Sequence, residues 1–181
     1  MKKNKNVAIF VGIILVISVI TGFIYGLNKN VDTSEFISSI NGHSNLFFNH
    51  TISIIIIFFS TLALVNFISG ALIFSIEGLS TGFLLGVLFK NYKLNGFFFG
   101  IISTIINRLL FIIILIYLFI ISINYINKVI KNILGLKNDY IRSLIKPLLM
   151  RFSLILVISL INDTLIYFLG NIILKNFVNM L

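Results

Sequence analysis

Four blocks of this chain are too long and too apolar to belong to a water-soluble domain: Val7 to Leu27, Thr51 to Phe89, Gly96 to Ile123 and Leu148 to Leu169. A helix satisfies its own backbone groups, and about 20 apolar residues cover the ~30 Å hydrocarbon core, so each block reads as one or more membrane-crossing helices. Charged residues are 10% of the 181 and hydrophobic ones 59%, too little charge to cover so much apolar surface in water. The fold class expected is all-α, a polytopic transmembrane helical bundle forming a single integral membrane domain over residues 1–181.

The second block decides the span count. Its thirty-nine residues would make a rod of roughly 58 Å, which one straight crossing cannot use. The sequence Ser75-Ile76-Glu77-Gly78 marks its middle, and a charge beside a glycine predicts a turn reaching water. The expected spans are therefore about five: residues 7–27, 51–74, 79–90, 96–123 and 148–169.

Charge distribution orients them. Lys2, Lys3 and Lys5 precede the first span, and the loop 124–147 carries Lys128, Lys131, Lys137, Arg142 and Lys146 against Asp139 alone. Both segments are expected in the cytoplasm, which requires an even number of crossings between them. Splitting the second block supplies four. The reading places the N-terminus inside, the loop 28–50 outside, the Glu77 turn inside, and the C-terminus outside. The first span is longer than a signal-peptide core and lacks its cleavage pattern, so it is expected to be a retained anchor rather than a cleaved signal. Val129, Ile130, Ile133 and Leu134 interleave with Lys128, Lys131 and Lys137. That pattern suits a helix lying on an anionic inner leaflet, and equally a basic loop that only fixes topology.

Small residues recur every fourth position: Ser18, Gly22 and Gly26; Gly78, Gly82 and Gly86; Gly96, Gly100 and Thr104. Each set lies on one helix face and lets backbones approach closely, giving packing seams within the bundle or towards another protein. Arg108 falls near mid-membrane, where a bare guanidinium is costly and needs a partner. Asp163 in the last span is the partner expected, with Ser159, Asn162 and Tyr167 around it. A structural ion pair and a proton or ion path both fit such a pairing. Glu77 reads as a solvated turn residue or a second partner for Arg108, and Asn66 as an interhelical hydrogen-bond donor.

No catalytic constellation, cofactor motif or metal site is expected. Cysteine is absent, and His43 and His50 lack the spacing and acidic companion of a helical zinc site. The net charge of +9 lies at topology-setting positions, so membrane lipids rather than nucleic acid are the expected partners.

The chain resembles the stage II sporulation protein M family of small polytopic membrane proteins. The resemblance is clearest from Leu46-Phe47-Phe48-Asn49-His50 through Glu77-Gly78-Leu79-Ser80-Thr81-Gly82-Phe83-Leu84-Leu85-Gly86 and Leu94-Asn95-Gly96-Phe97-Phe98. It extends to the first span at Gly22 and Gly26 and to Leu156-Val157-Ile158-Ser159-Leu160-Ile161, so it covers nearly the whole chain. Family members commonly carry a proline followed by polar residues in the fourth span, where this chain has Ile106-Asn107-Arg108. The resemblance implies a cell-membrane protein of a sporulating Gram-positive bacterium. It would be a non-catalytic scaffold that localises two peptidoglycan hydrolases, sporulation proteins D and P, for septal wall degradation and forespore engulfment. The external loop, with Asp32, Glu35, His43 and His50, is the expected surface for partner contact. The alternative function is a membrane subunit of a transport system working with an ATPase.

Overall fold

A computed structural model of the protein describes residues 2–31, 44–135 and 141–170, with side chains described for 6–31, 48–135 and 144–168. All secondary structure among the described residues is helical. Helix α1 is Lys2–Asn28 and α2 is Ser44–Leu62. The stretch Asn66–Thr104 is helical except at Lys93 (φ 53°, ψ −130°), which divides it into α3, residues 66–92, and the start of α4. Helix α4 runs from residue 94 through a π-helical turn, Ile105–Leu109, to the end of Leu110–Ile133. Helix α5 is Ile141–Leu165 and passes into a second π-helical turn, Ile166–Gly170.

The breaks between helices that fall within the described residues are each marked by a residue at positive φ. Among the described residues these are Leu64 (φ 61°), Lys93 (φ 53°) and Gly135 (φ 70°). At Gly135 the backbone follows the usual helix C-terminal pattern, in which glycine adopts αL without a Cβ penalty. Leu64 and Lys93 take positive φ with a Cβ in place, at a cost of order 1–3 kcal/mol each. Lys93→Gly is accordingly expected to stabilise the protein by about 1 kcal/mol, visible as a raised melting temperature in detergent.

The reversal at Lys93 makes α3 and α4 an antiparallel hairpin. Gly100 packs against Leu85 and Leu88, and Gly70 against the Phe119 ring, so pairs of residues equidistant from the turn meet along its length. The reversal at Leu64 does the same for α2 and α3, where the Ser60 hydroxyl donates to Asn66 Oδ1 at 3.2 Å. Helix α5 runs antiparallel to α2, with the Phe58 and Phe152 rings 4.9 Å apart.

These positions correct the expected turn at Glu77. Residues 75–78 lie in mid-α3, and the long apolar block is broken at residues 63–65 instead. A single buried carboxylate does not end a helix when the bundle supplies its counter-charge, whereas Ala63-Leu64-Val65 carries no polar residue to announce a turn. The expected span 51–74 is thus cut at Leu62, and the expected span 79–90 is the second half of a 27-residue helix. In place of the expected short loop at Lys90 to Asn95, the chain reverses at the single residue Lys93, with helix on both sides. Asn66 stands at the start of α3, where it accepts a hydrogen bond across the turn rather than donating one at mid-span.

The basic loop 124–147 is also largely helical. Helix α4 continues unbroken to Ile133, and α5 begins at Ile141 rather than at the expected residue 148, so Pro147 is its seventh residue.

Helix α1 lies against α3, and the two run parallel. The glycines supply the contact: a Cβ on Gly22 would strike the Leu79 carbonyl, one on Gly82 the Val19 carbonyl, and one on Gly86 the Phe23 carbonyl. Gly26 faces Phe83 and Val87, and Gly78 faces Ser18. The first two sets of small residues therefore meet each other inside the molecule. Of the third set, Gly96 and Gly100 face α3, closing the hairpin near its turn, and Thr104 Oγ1 is buried without a partner among the described residues. Where α1 ends, the Lys90 ammonium donates to the Lys29 carbonyl at 3.1 Å and to Asn30 Oδ1 at 2.6 Å. A cation there complements the negative end of the helix dipole.

The apolar core gathers Ile54 and Ile57 of α2, Phe74 of α3, Phe111, Leu115 and Phe119 of α4, and Phe152 and Ile155 of α5. Large apolar side chains also cover the outside, including Ile13, Ile17, Ile20, Phe59, Leu72 and Leu154. Three helical stretches are long and apolar enough to cross a membrane: Asn6–Asn28, Asn66–Ile133 and Leu144–Phe168. The second is 68 residues, about 100 Å if straight, and it folds back on itself at Lys93.

Candidate functional site: a buried polar centre

Four ionisable side chains meet inside this apolar bundle. The hairpin turn sets the register that joins two of them: Glu77 lies sixteen residues before Lys93 and Arg108 fifteen after it, so both stand at the same height. Arg108 Nη1 is 3.5 Å from Glu77 Oε2, and their side chains are 18% and 11% exposed. Arg108 projects from the π-helical turn Ile105–Leu109. A π turn inserts an extra residue and so resets which face the following side chains occupy, and such turns are frequent at functional sites.

The other pair joins α2 and α5. The antiparallel packing that brings Phe58 to Phe152 carries on for roughly two to three helical turns to bring His50 to Asp163, with Nδ1 to Oδ1 at 2.8 Å. His50 is 1% exposed and Asp163 6%. The imidazole lies flat on Phe111, with centroids 3.5 Å apart and planes 16° from parallel. The Asn162 side-chain amide also donates to Asp163 Oδ1, at 3.4 Å. The other ring nitrogen, His50 Nε2, is buried and has no partner among the described residues. Asp163 Oδ2 and Ser159 Oγ are likewise buried without partners among the described residues.

The two pairs are neighbours. A cavity of about 260 Å³ is bounded by His50, Asn49 and Ser53 from α2, Glu77 and Ser80 from α3, and Arg108, with Ile52, Ile56, Ile73 and Ile76 completing its wall. The two π-helical turns touch each other beside it.

This arrangement corrects the expected pairing of Arg108 with Asp163. Asp163 is taken by His50, and Arg108 by Glu77, the second partner considered for it. The physical reason is the missed register: once the turn moves from Glu77 to Leu64, Glu77 is carried into the bundle directly opposite Arg108. His50 is corrected with it. The helix α2 starts at Ser44, so His50 is a buried helical residue and not part of an external loop. Asp32, Glu35 and His43, expected in that loop, lie outside the described residues. Tyr167, expected near Asp163, lies in the second π turn and is exposed.

Sequence reasoning also passed over Asn107. It is buried beside Arg108 and donates to Ser103 Oγ at 3.3 Å, while its own Oδ1 has no partner among the described residues. A polar residue next to an arginine within an apolar block was the available signal. Among the described residues no group of three or more metal-ligating side chains gathers.

Comparison with known proteins returns no match to a family model, a curated protein or a solved structure.

Proposed function

We propose that this protein is a non-catalytic membrane scaffold with five crossings, α1 to α5, and that its partners carry the chemistry. The observation that supports this most is the closure of the buried ionisable groups upon one another. Glu77 with Arg108 and His50 with Asp163 form two local pairs, which stabilise a fixed bundle without requiring a path through it. The backbone-to-backbone seam of α1 on α3 suits the same rigid role.

In this reading residues 2–5, the turn at 63–65 and the basic segment around Gly135 lie in the cytoplasm, and the ends of α1 and α3 with Lys93 lie outside. Parity is the same as with a turn at Glu77, because the second reversal has moved along the chain without changing number. The cell-membrane location and the partners follow the resemblance to the stage II sporulation protein M family: peptidoglycan hydrolases like sporulation proteins D and P, recruited during engulfment. Analogy from the sequence resemblance is the warrant for that step, and chemistry at a site is not.

A second reading, a transport subunit working with an ATPase, is favoured by the cavity touching both pairs and by the π turn under Arg108. Gene deletion separates the two. A septum that stays flat, with hydrolases co-purifying from detergent, supports the scaffold. Normal engulfment with altered solute uptake and a co-purifying ATPase supports transport and rejects the scaffold.

A further inference from the structure

A second hollow lies far from the polar centre, where α4 and α5 diverge at their basic ends. It has a volume of about 80 Å³ and is bounded by Asn124, Tyr125 and Lys128 of α4 and by Pro147, Leu148 and Arg151 of α5. Arg151 is twelve residues from Asp163 along α5, roughly 18 Å, which sets the hollow near the edge of the hydrocarbon layer.

Three observations bear on what it holds. First, two cations from different helices face one hollow, and neither Lys128 nor Arg151 has an acidic partner among the described residues. Second, the polar wall is completed by Asn124 and Tyr125, a donor set suited to phosphate oxygens. Third, the same two helices present exposed apolar side chains towards the membrane interior: Tyr117 on α4, then Leu154, Ile158 and Ile161 on α5. The volume is several times the ~10–15 Å³ of probe-occupied space that one water needs. That is room for a compact phosphate, with acyl chains lying outside along the apolar side chains.

We propose that this hollow binds the phosphate of an anionic phospholipid, with Lys128 and Arg151 as its counter-charges. Basic pockets between membrane helices on the cytoplasmic side are suited to such headgroups. The occupant is a lipid rather than a free anion because the cations are exposed and the helices that carry them continue into exposed apolar side chains. A soluble anion would gain only the screened charge interaction, whereas a lipid adds contact along α4 and α5. The site rests on the membrane reading of α4 and α5 and is independent of the scaffold role.

The test uses the purified full chain in detergent, titrated with phosphatidylglycerol, phosphatidylcholine and inorganic phosphate, with retained lipid counted by native mass spectrometry. The paired variant Lys128→Gln/Arg151→Gln is compared with Lys131→Gln/Lys146→Gln, which removes the same charge from the same region outside the hollow. Phosphatidylglycerol should bind the unaltered protein, weaken by about tenfold in the first variant, and be little changed in the second. If the first variant fails to fold, Lys128→Gln and Arg151→Gln singly carry the comparison. Equal weakening in both paired variants overturns the proposal in favour of diffuse charge attraction. So does phosphate competing as well as the lipid, or phosphatidylcholine binding equally well.

Discussion

Gly82→Leu should prevent the protein from accumulating in the membrane, while Gly12→Leu should leave it unaffected. Both glycines sit in apolar helices, and composition alone does not distinguish them. At Gly82 a Cβ would meet the Val19 carbonyl and the Phe23 amide, both backbone atoms of α1. At Gly12 nothing lies within 4 Å. Backbone cannot rotate aside as a side chain can, so a leucine at 82 must push α1 off α3 along the whole seam. Overpacking costs typically 1–3 kcal/mol and occasionally more, and the loss of close contact at Gly22, Gly78 and Gly86 adds to it. Fluorescence size-exclusion of a tagged protein reads the outcome. Equal monodisperse peaks for the two variants would show that α1 is not held by this seam.

Glu77→Ala is expected to destabilise by about 3–5 kcal/mol, because it leaves the Arg108 guanidinium buried without a counter-charge. Arg108→Ala should cost a similar amount by stranding the carboxylate. Removing both should cost much less than the sum, since no uncompensated charge then remains. The coupling also discriminates between pairings. In thermal melts in detergent, Glu77 with Arg108 and His50 with Asp163 should each show strong coupling, exceeding that of Arg108 with Asp163. A stronger Arg108–Asp163 coupling would mean that the hairpin register is wrong.

The helical class and the need for a close-packed glycine seam were legible in the sequence, because bilayer thickness and helix rise leave few alternatives for apolar blocks of this length. The placement of the turns was less so. A turn was expected at Glu77-Gly78 because charge and glycine usually announce exposure, yet both residues serve the interior here. Gly78 receives Ser18, and Glu77 receives Arg108. The true break at Ala63-Leu64-Val65 has no proline, glycine or charge, and nothing local in the sequence marks it.

The polar centre followed the same logic. Arg108 and Asp163 were recognisable as buried charges needing partners, but partner choice depends on register, which is a property of the turn and not of the residues. His50 illustrates this most plainly. One histidine near an expected loop looks solvent-facing until α2 is seen to start at Ser44 and turn that ring onto Phe111. The π turn under Arg108 has no sequence signature that we can identify.

The order of the membrane crossings is open to direct measurement, because the chain has no native cysteine and single cysteines can be placed without background. Asn28, Ala63, Leu94 and Leu134 are exposed positions at the ends of the helices. With a membrane-impermeant maleimide on intact cells, Asn28→Cys and Leu94→Cys should be labelled, whereas Ala63→Cys and Leu134→Cys should react only after permeabilisation. Labelling of Ala63→Cys together with Leu94→Cys in intact cells would mean that α3 does not cross the bilayer, and it would contradict the five-crossing arrangement.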